Sequence, residues 1–368
     1  MKFSALALAS VLVLLAGSVA IAAPPSLDHD NTLGSGHAPD FREQTQLREL
    51  FKQRAGTMNE FAATAFYNNR PVFLKCMRNF DTYTREVKAL TAIKQIASAT
   101  ATPPEGIKHI VEIVHNFSTP NKYHCVMTHR LRGTYLDNLV RQANPNERDA
   151  IAREVFRQVL QGIQALHEAG YAHGDLKGDN IVVSLKVVED VAKQQEPGVL
   201  KYRGLMVKPN VVIIDLGMAS QWRIHERLPH FGAEQFRAPE LLNYKKELPM
   251  PDMRYADVWA LGVTLYEMLE KKYPFPQQPS TLETAKTITD DIPEHFVDTS
   301  QWTVPLPMKY WNRAVEEMVR ETLRLDAAAR PLPDQLLKHS RWLSENAEIG
   351  THPSPLARSL VGPPLLNT

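Results

Sequence analysis

Cysteine is scarce in this chain: Cys76 and Cys125 are the only two among 368 residues, too few for a disulfide scaffold or a thiolate metal cluster. Charge of either sign is not in excess. The balance is 42 Lys and Arg against 41 Asp and Glu, a formal net charge of +1, which gives no electrostatic reason to expect nucleic acid as partner. There is no long basic run and no internal repeat. After residue 21 no segment is apolar enough to span a bilayer. What remains is ordinary globular composition, 43% hydrophobic and 23% charged, long enough for two lobes with a substantial core.

The chain opens with Lys2 before an apolar run from Phe3 to Ile21, then Ala22-Ala23-Pro24-Pro25. A short positive end, an apolar stretch and small residues at alternate positions describe a secretory signal peptide, cut after Ala22. The alternative is a signal anchor retained in the membrane, since the run approaches the ~20 residues a spanning helix needs. Cleavage would leave no transmembrane segment and send the protein to the secretory lumen or outside the cell. Asn116-Phe117-Ser118 is an N-glycosylation acceptor that fits this route. Residues 23–44 read as a disordered leader, and residues 344–368, with four prolines, as a tail.

Between these ends the pattern changes once. Strand-like pieces at Glu60–Tyr67, Val72–Met77, Ile110–Phe117 and His124–Thr128 surround a helical stretch, Asp81–Ser98. From residue 145 helices dominate. Asn144-Pro145-Asn146-Glu147 supplies a helix start, and Ile151, Val155, Val159, Ile163 and Leu166 line one face up to Gly170. Further helices are expected at Tyr255–Lys271, Tyr310–Leu323 and Pro333–Leu343. The fold class expected is therefore α+β, a small mostly β lobe with one helix before a larger mainly α lobe.

The run Tyr171-Ala-His-Gly-Asp-Leu-Lys-Gly-Asp-Asn180 carries the chemistry. Asp175 can accept the proton of an attacking hydroxyl, Lys177 can neutralise charge on a moving phosphoryl group, and Asn180 can hold a divalent cation. Ile213-Ile-Asp-Leu-Gly217, Ala238-Pro-Glu240, Asp257-Val-Trp-Ala-Leu-Gly262 and Ala329-Arg-Pro331 follow in order. In this order they resemble the protein kinase family, over residues 45–343, with an N-lobe at 45–130 and a C-lobe at 131–343.

The resemblance implies ATP and Mg²⁺ or Mn²⁺, Asn180 and Asp215 as metal ligands, and a protein substrate phosphorylated on Ser or Thr. Lys75 in Val72-Phe-Leu-Lys75 would contact the α and β phosphates and pair with Glu86. Met127, Thr128 and His129 would form the hinge beside adenine. Glu240 would meet Arg330 in a buried ion pair, and Asp257 would hold the backbone of the catalytic loop. With both cysteines on neighbouring strands and Met127 on the nucleotide face, Cys76 and Cys125 would point to opposite sides as free thiols.

Several positions depart from the family pattern. The loop over the phosphates, Ala55 to Thr64, has a single glycine, Gly56, with Phe61 at its aromatic tip. Gly174 stands where an Arg would receive an activation-loop phosphate, and Met218–Gln235 holds Ser220 but no Thr or Tyr. That combination points to an ordered loop without phosphorylation control. Ala233 lacks the Thr hydroxyl that bonds the catalytic Asp and Lys in Ser/Thr kinases. Residues 184–210 replace a compact turn and read as a surface loop or a docking insertion. Arg223, His225, Arg227 and His230 read as a solvated face or a handle for acidic substrates or pH. Two other functions stay open: a catalytically weak pseudokinase serving as a binding scaffold, and a small-molecule kinase suggested by His173-Gly174-Asp175.

Overall fold

A computed structural model describes residues 61–68, 70–119, 122–222, 232–242, 251–274 and 313–344. The signal and leader segments, Gly56, the Arg223–His230 cluster and the tail lie outside the described residues. The chain divides into two compact units, one of residues up to 78 with 114–130, the other of 79–113 with the rest.

The first unit is an antiparallel sheet of four strands: β1 (Phe61–Tyr67), β2 (Arg70–Met77), β3 (Ile113–Ser118) and β4 (His124–His129), in the order β1-β2-β4-β3. Alternation along β2 sends Val72, Leu74 and Cys76 into a cluster with Phe117, Tyr123, Cys125 and Met127. Lys75 lies between them on the opposite face.

The register overturns the free-thiol expectation. Cys76 sits directly opposite Cys125, and the two form a disulfide with an S–S distance of 2.08 Å. That expectation placed Met127 on the same face as Lys75. The ladder instead pairs Met127 with Leu74 and Lys75 with Val126, so Met127 and both cysteines turn together to the core.

The second unit begins with α1 (Phe80–Ala99), capped by the Asn79 side chain, which accepts from Thr82 N. After β5 (Thr134–Tyr135) and α2 (Leu136–Gln142) comes α3 (Pro145–Glu168), whose Ile151, Val155, Val159, Ile163 and Leu166 are all buried. Each such side chain contributes about 1.5–3 kcal/mol through burial. The expected cap is altered in detail: Asn144 Nδ2 donates to the Glu147 carboxylate at 3.1 Å, and no Asn144 side-chain bond reaches the helix backbone. Gly170, at φ +91°, turns the chain out of the helix.

β6 (Tyr171–Ala172), β7 (Ile181–Val187), β8 (Leu200–Tyr202), β9 (Leu205–Ile213) and β10 (Ser220–Gln221) follow. They build a two-stranded sheet, β10-β6, and a four-stranded sheet, β5-β7-β9-β8. Among the described residues the helices α4 (Pro239–Leu242), α5 (Met253–Glu270), α6 (Arg313–Thr322), α7 (Pro333–His339) and α8 (Arg341–Ser344) follow in this unit. α5 is buried nearly all round, from Met253 to Leu269, and forms its centre.

The insertion is only partly a loop. Residues 184–210 lengthen β7 and β9 into a paired ladder and add β8 at its edge. Leu200, Tyr202 and Val207 are buried, Tyr202 Oη donates to Leu139 O at 3.2 Å, and Arg203 N donates to Glu147 Oε2 at 2.9 Å. The inserted strands thus extend the core over α2 and α3.

Candidate active site

The segment after β6 is held from both sides. Asp257 on α5 is 1% exposed and accepts from His173 N at 2.7 Å and Gly174 N at 2.9 Å. Its Oδ2 also bonds His167 Nε2 at 2.9 Å. His173 is fully buried; its Nε2 reaches Ile214 O at 3.1 Å while Nδ1 accepts from Asp175 N at 3.2 Å. That pair of partners requires the proton on Nε2. Gly174 has φ +78°, and a Cβ there would stand 2.6 Å from Met218 O. The turn leaves no room for a side chain at this position.

Three donors converge on the Asp175 carboxylate. Lys177 Nζ reaches Oδ2 at 2.8 Å, Asn180 Nδ2 reaches Oδ2 at 3.2 Å, and Ala233 N reaches Oδ1 at 2.7 Å. Asn180 Nδ2 also donates to the Asp175 carbonyl at 2.7 Å. With its nitrogen turned inward, the Asn180 amide offers its oxygen elsewhere.

Asn180 precedes β7 and Asp215 follows β9. Because these strands pair antiparallel from Ile181↔Ile213, both residues stand at the same end of the ladder, where Ile214 N donates to Asn180 O at 2.9 Å. Asp215 adopts φ +63°, a left-handed conformation costly for a residue with a Cβ and concentrated at functional turns. An amide oxygen and a carboxylate are ligand types that suit a hard divalent cation, which takes few protein ligands when phosphates supply the rest. Among the described residues no group of three or more His, Cys, Asp or Glu could hold a metal ion.

Arg330 and Glu240 form a two-pronged ion pair at 2.7 and 2.9 Å. The other Arg330 donors reach Arg324 O, Tyr255 O and Leu325 O, so all the guanidinium N–H groups are used. This is bracing, remote from Asp175 in role.

In the first unit Lys75 is 8% exposed on β2, Thr128 is buried opposite Phe73, and His129 lies opposite Val72. Phe61 opens β1 opposite Cys76. The face of Lys75 also carries Phe66 and Phe73, 43% and 41% exposed. Glu86 lies on α1, 2% exposed. Asn116 is half-buried in β3, an edge strand. Sequence reasoning missed His167, Gly232 and Arg237, the last donating from Nη2 to Gly232 O at 2.8 Å. Burial pushes the Arg237 guanidinium pKa down, opposed by Glu234 and Asp175. His167 had a legible signal, since its spacing puts it on the buried face of α3; the other two had none.

Residues 63–343 match the protein kinase domain model. The chain belongs to the protein kinase family. It is similar to the hormonally up-regulated neu tumor-associated kinase of Mus musculus, 29% identical over 65% of this chain and 29% of that protein. It is also similar to the serine/threonine-protein kinase PKZ1 of Phytophthora infestans, 25% identical over 78% of this chain and 66% of that protein. A further relative is the MAP kinase-interacting serine/threonine-protein kinase 2 of Xenopus laevis, 25% identical over 68% and 52% of the two chains. The chain thus spans between 29% and 66% of these relatives' own lengths. A crystal structure of a kinase domain aligns with TM-score 0.53 and 19% identity, covering 78% of this chain and 92% of its own, and shares the fold.

Proposed function

We propose that the chain is an active kinase transferring the γ-phosphoryl group of ATP to Ser or Thr hydroxyls of protein substrates in the secretory pathway or outside the cell. The observation that carries this reading is the Asp175 carboxylate with Lys177 and Asn180 bonded to it. Asp175 takes the hydroxyl proton as the oxygen attacks phosphorus, the bond to the β-phosphate oxygen breaks, and ADP leaves. Lys177 stabilises the charge on the transferred group. Asn180 and Asp215 would hold the divalent cation, Mg²⁺ or Mn²⁺, which when bound neutralises phosphate charge. Lys75 would bind the phosphates.

Two features support the secretory route. The first 22 residues have the pattern of an export signal, and a buried disulfide suits an oxidising compartment. Among the described residues no helix is long and apolar enough to cross a membrane. Sequencing the mature N-terminus tests cleavage after Ala22, and a mobility shift lost in Asn116→Gln tests glycosylation.

A binding scaffold without turnover is the second reading, favoured by the two half-exposed phenylalanines sharing the Lys75 face. Purified protein with labelled ATP and Mg²⁺ or Mn²⁺, beside Asp175→Ala, separates the two. Transfer abolished in the variant upholds the kinase; equal signal in both supports the scaffold. Nucleotide-induced thermal stabilisation, lost in Lys75→Ala, reports binding alone.

A further inference from the structure

The geometry points to the peptide joining Gly232 and Ala233, gripped by Arg237, as the group that positions Asp175 in place of a side-chain hydroxyl. This rests on the kinase reading above for its catalytic meaning. The peptide's two polar atoms are bonded in opposite directions: Arg237 Nη2 donates to Gly232 O at 2.8 Å, and Ala233 N donates to Asp175 Oδ1 at 2.7 Å. A cation on the carbonyl polarises the peptide and strengthens the N–H at its other end.

Position 232 is constrained by the same contact. A Cβ there would stand 2.5 Å from both Asp175 Oδ1 and Gly174 O, so the approach is open to glycine alone. The methyl group of Ala233 takes no part in the bond. An ionised carboxylate offers about four acceptor positions. Lys177, Asn180 and Ala233 occupy three of them, and the fourth is left for the substrate hydroxyl. Loss of a threonine hydroxyl at 233 therefore does not by itself unmake the site.

Two variants isolate the device. Ala233 has φ −55°, within proline's range, so Ala233→Pro removes this N–H without asking the backbone to change φ, and its ring Cδ, placed where the hydrogen points, pushes the Asp175 carboxylate aside. Arg237→Met removes the grip on the carbonyl, and Arg237→Lys restores a donor. In the full-length protein, Ala233→Pro and Arg237→Met lower kcat by up to about 100-fold, with KM for ATP and ATP-induced thermal stabilisation unchanged. Arg237→Lys recovers part of the loss. An unchanged kcat in Ala233→Pro overturns the proposal, as does a parallel fall of kcat, ATP binding and thermal stability.

A second measurement needs neither turnover nor a folded proline variant. Hydrogen exchange at the Ala233 amide is slow in the wild type and accelerates at least tenfold in Asp175→Ala. An amide indifferent to Asp175→Ala refutes the positioning role. A protected amide in a protein that transfers no phosphate upholds the clamp and instead sinks the kinase reading.

Discussion

Replacing Arg330 by alanine tests the bracing of the larger unit most directly. The Arg330 side chain has no exposed surface, and its guanidinium bonds Glu240 twice and the Arg324, Tyr255 and Leu325 carbonyls once each. It also lies 5.0 Å from the Trp259 ring centre. Arg330→Ala leaves the Glu240 carboxylate without its partner and opens a cavity beside Trp259. Removing one member of a buried pair costs about 3–5 kcal/mol. Glu240 keeps 19% of its side-chain surface, so water recovers some of that, and about 3–4 kcal/mol is expected. At ~2 °C per kcal/mol for a domain of this size, Tm falls by about 6–8 °C. Thermal and urea unfolding measure both. Arg330→Lys, which cannot reproduce a planar fork, falls between. The double variant Arg330→Met with Glu240→Gln recovers part of the loss, because neither charge is then stranded. A loss under about 1 kcal/mol in Arg330→Ala, or strict additivity in the double variant, would refute the reasoning.

Three further outcomes follow from other parts of the molecule. Cys76→Ser with Cys125→Ser removes a crosslink over 49 residues of sequence and lowers stability by about 2–4 kcal/mol in denaturant titration; no change would show that the bond does not form in solution. Gly174→Ala forces a Cβ against Met218 O in a left-handed turn, costing about 1–3 kcal/mol and most phosphotransfer activity, while full activity would contradict the contact. Burial depresses the pKa of His109 below its usual 6.5, against the opposing effect of the bond from its Nδ1 to Val211 O. The unfolded chain then binds the extra proton, so this stability is present above pH ~6.5 and is lost as pH falls from there toward the folded pKa. His115 and His124 are shifted the same way by burial. Urea midpoints between pH 7.5 and 5.5 fall in the wild type, and His109→Gln flattens the slope; an identical slope would be evidence against it.

The parts of the fold read well from sequence are those set by local pattern. The apolar spacing of α1, the buried face of α3, and the break at Gly170 all declare themselves within one or two turns. The Asp175, Lys177 and Asn180 grouping was legible because a single short segment carries all three. Failures came where a partner strand decides. Whether Cys76 meets Cys125 depends on the β2–β4 register, and a one-residue error in facing reverses the answer. In the insertion, the alternation of Leu200 with Tyr202 is diluted by Lys, Glu and Gln, which hid β8 and the lengthening of β7 and β9 inside an apparent loop. Arg237 and Asp175 bond to the backbone atoms of Gly232 and Ala233, and residue type alone does not reveal such contacts.

The amide at position 233 alters how much freedom evolution has there. Since a main-chain atom makes the contact, drift among the letters at 233 is tolerated by that bond, with proline the one forbidden choice. Its neighbour at 232 enjoys no such latitude, for any atom beyond hydrogen collides with the carboxylate. A survey that judges such enzymes dead or alive by the side chain at 233 would look one residue too far along.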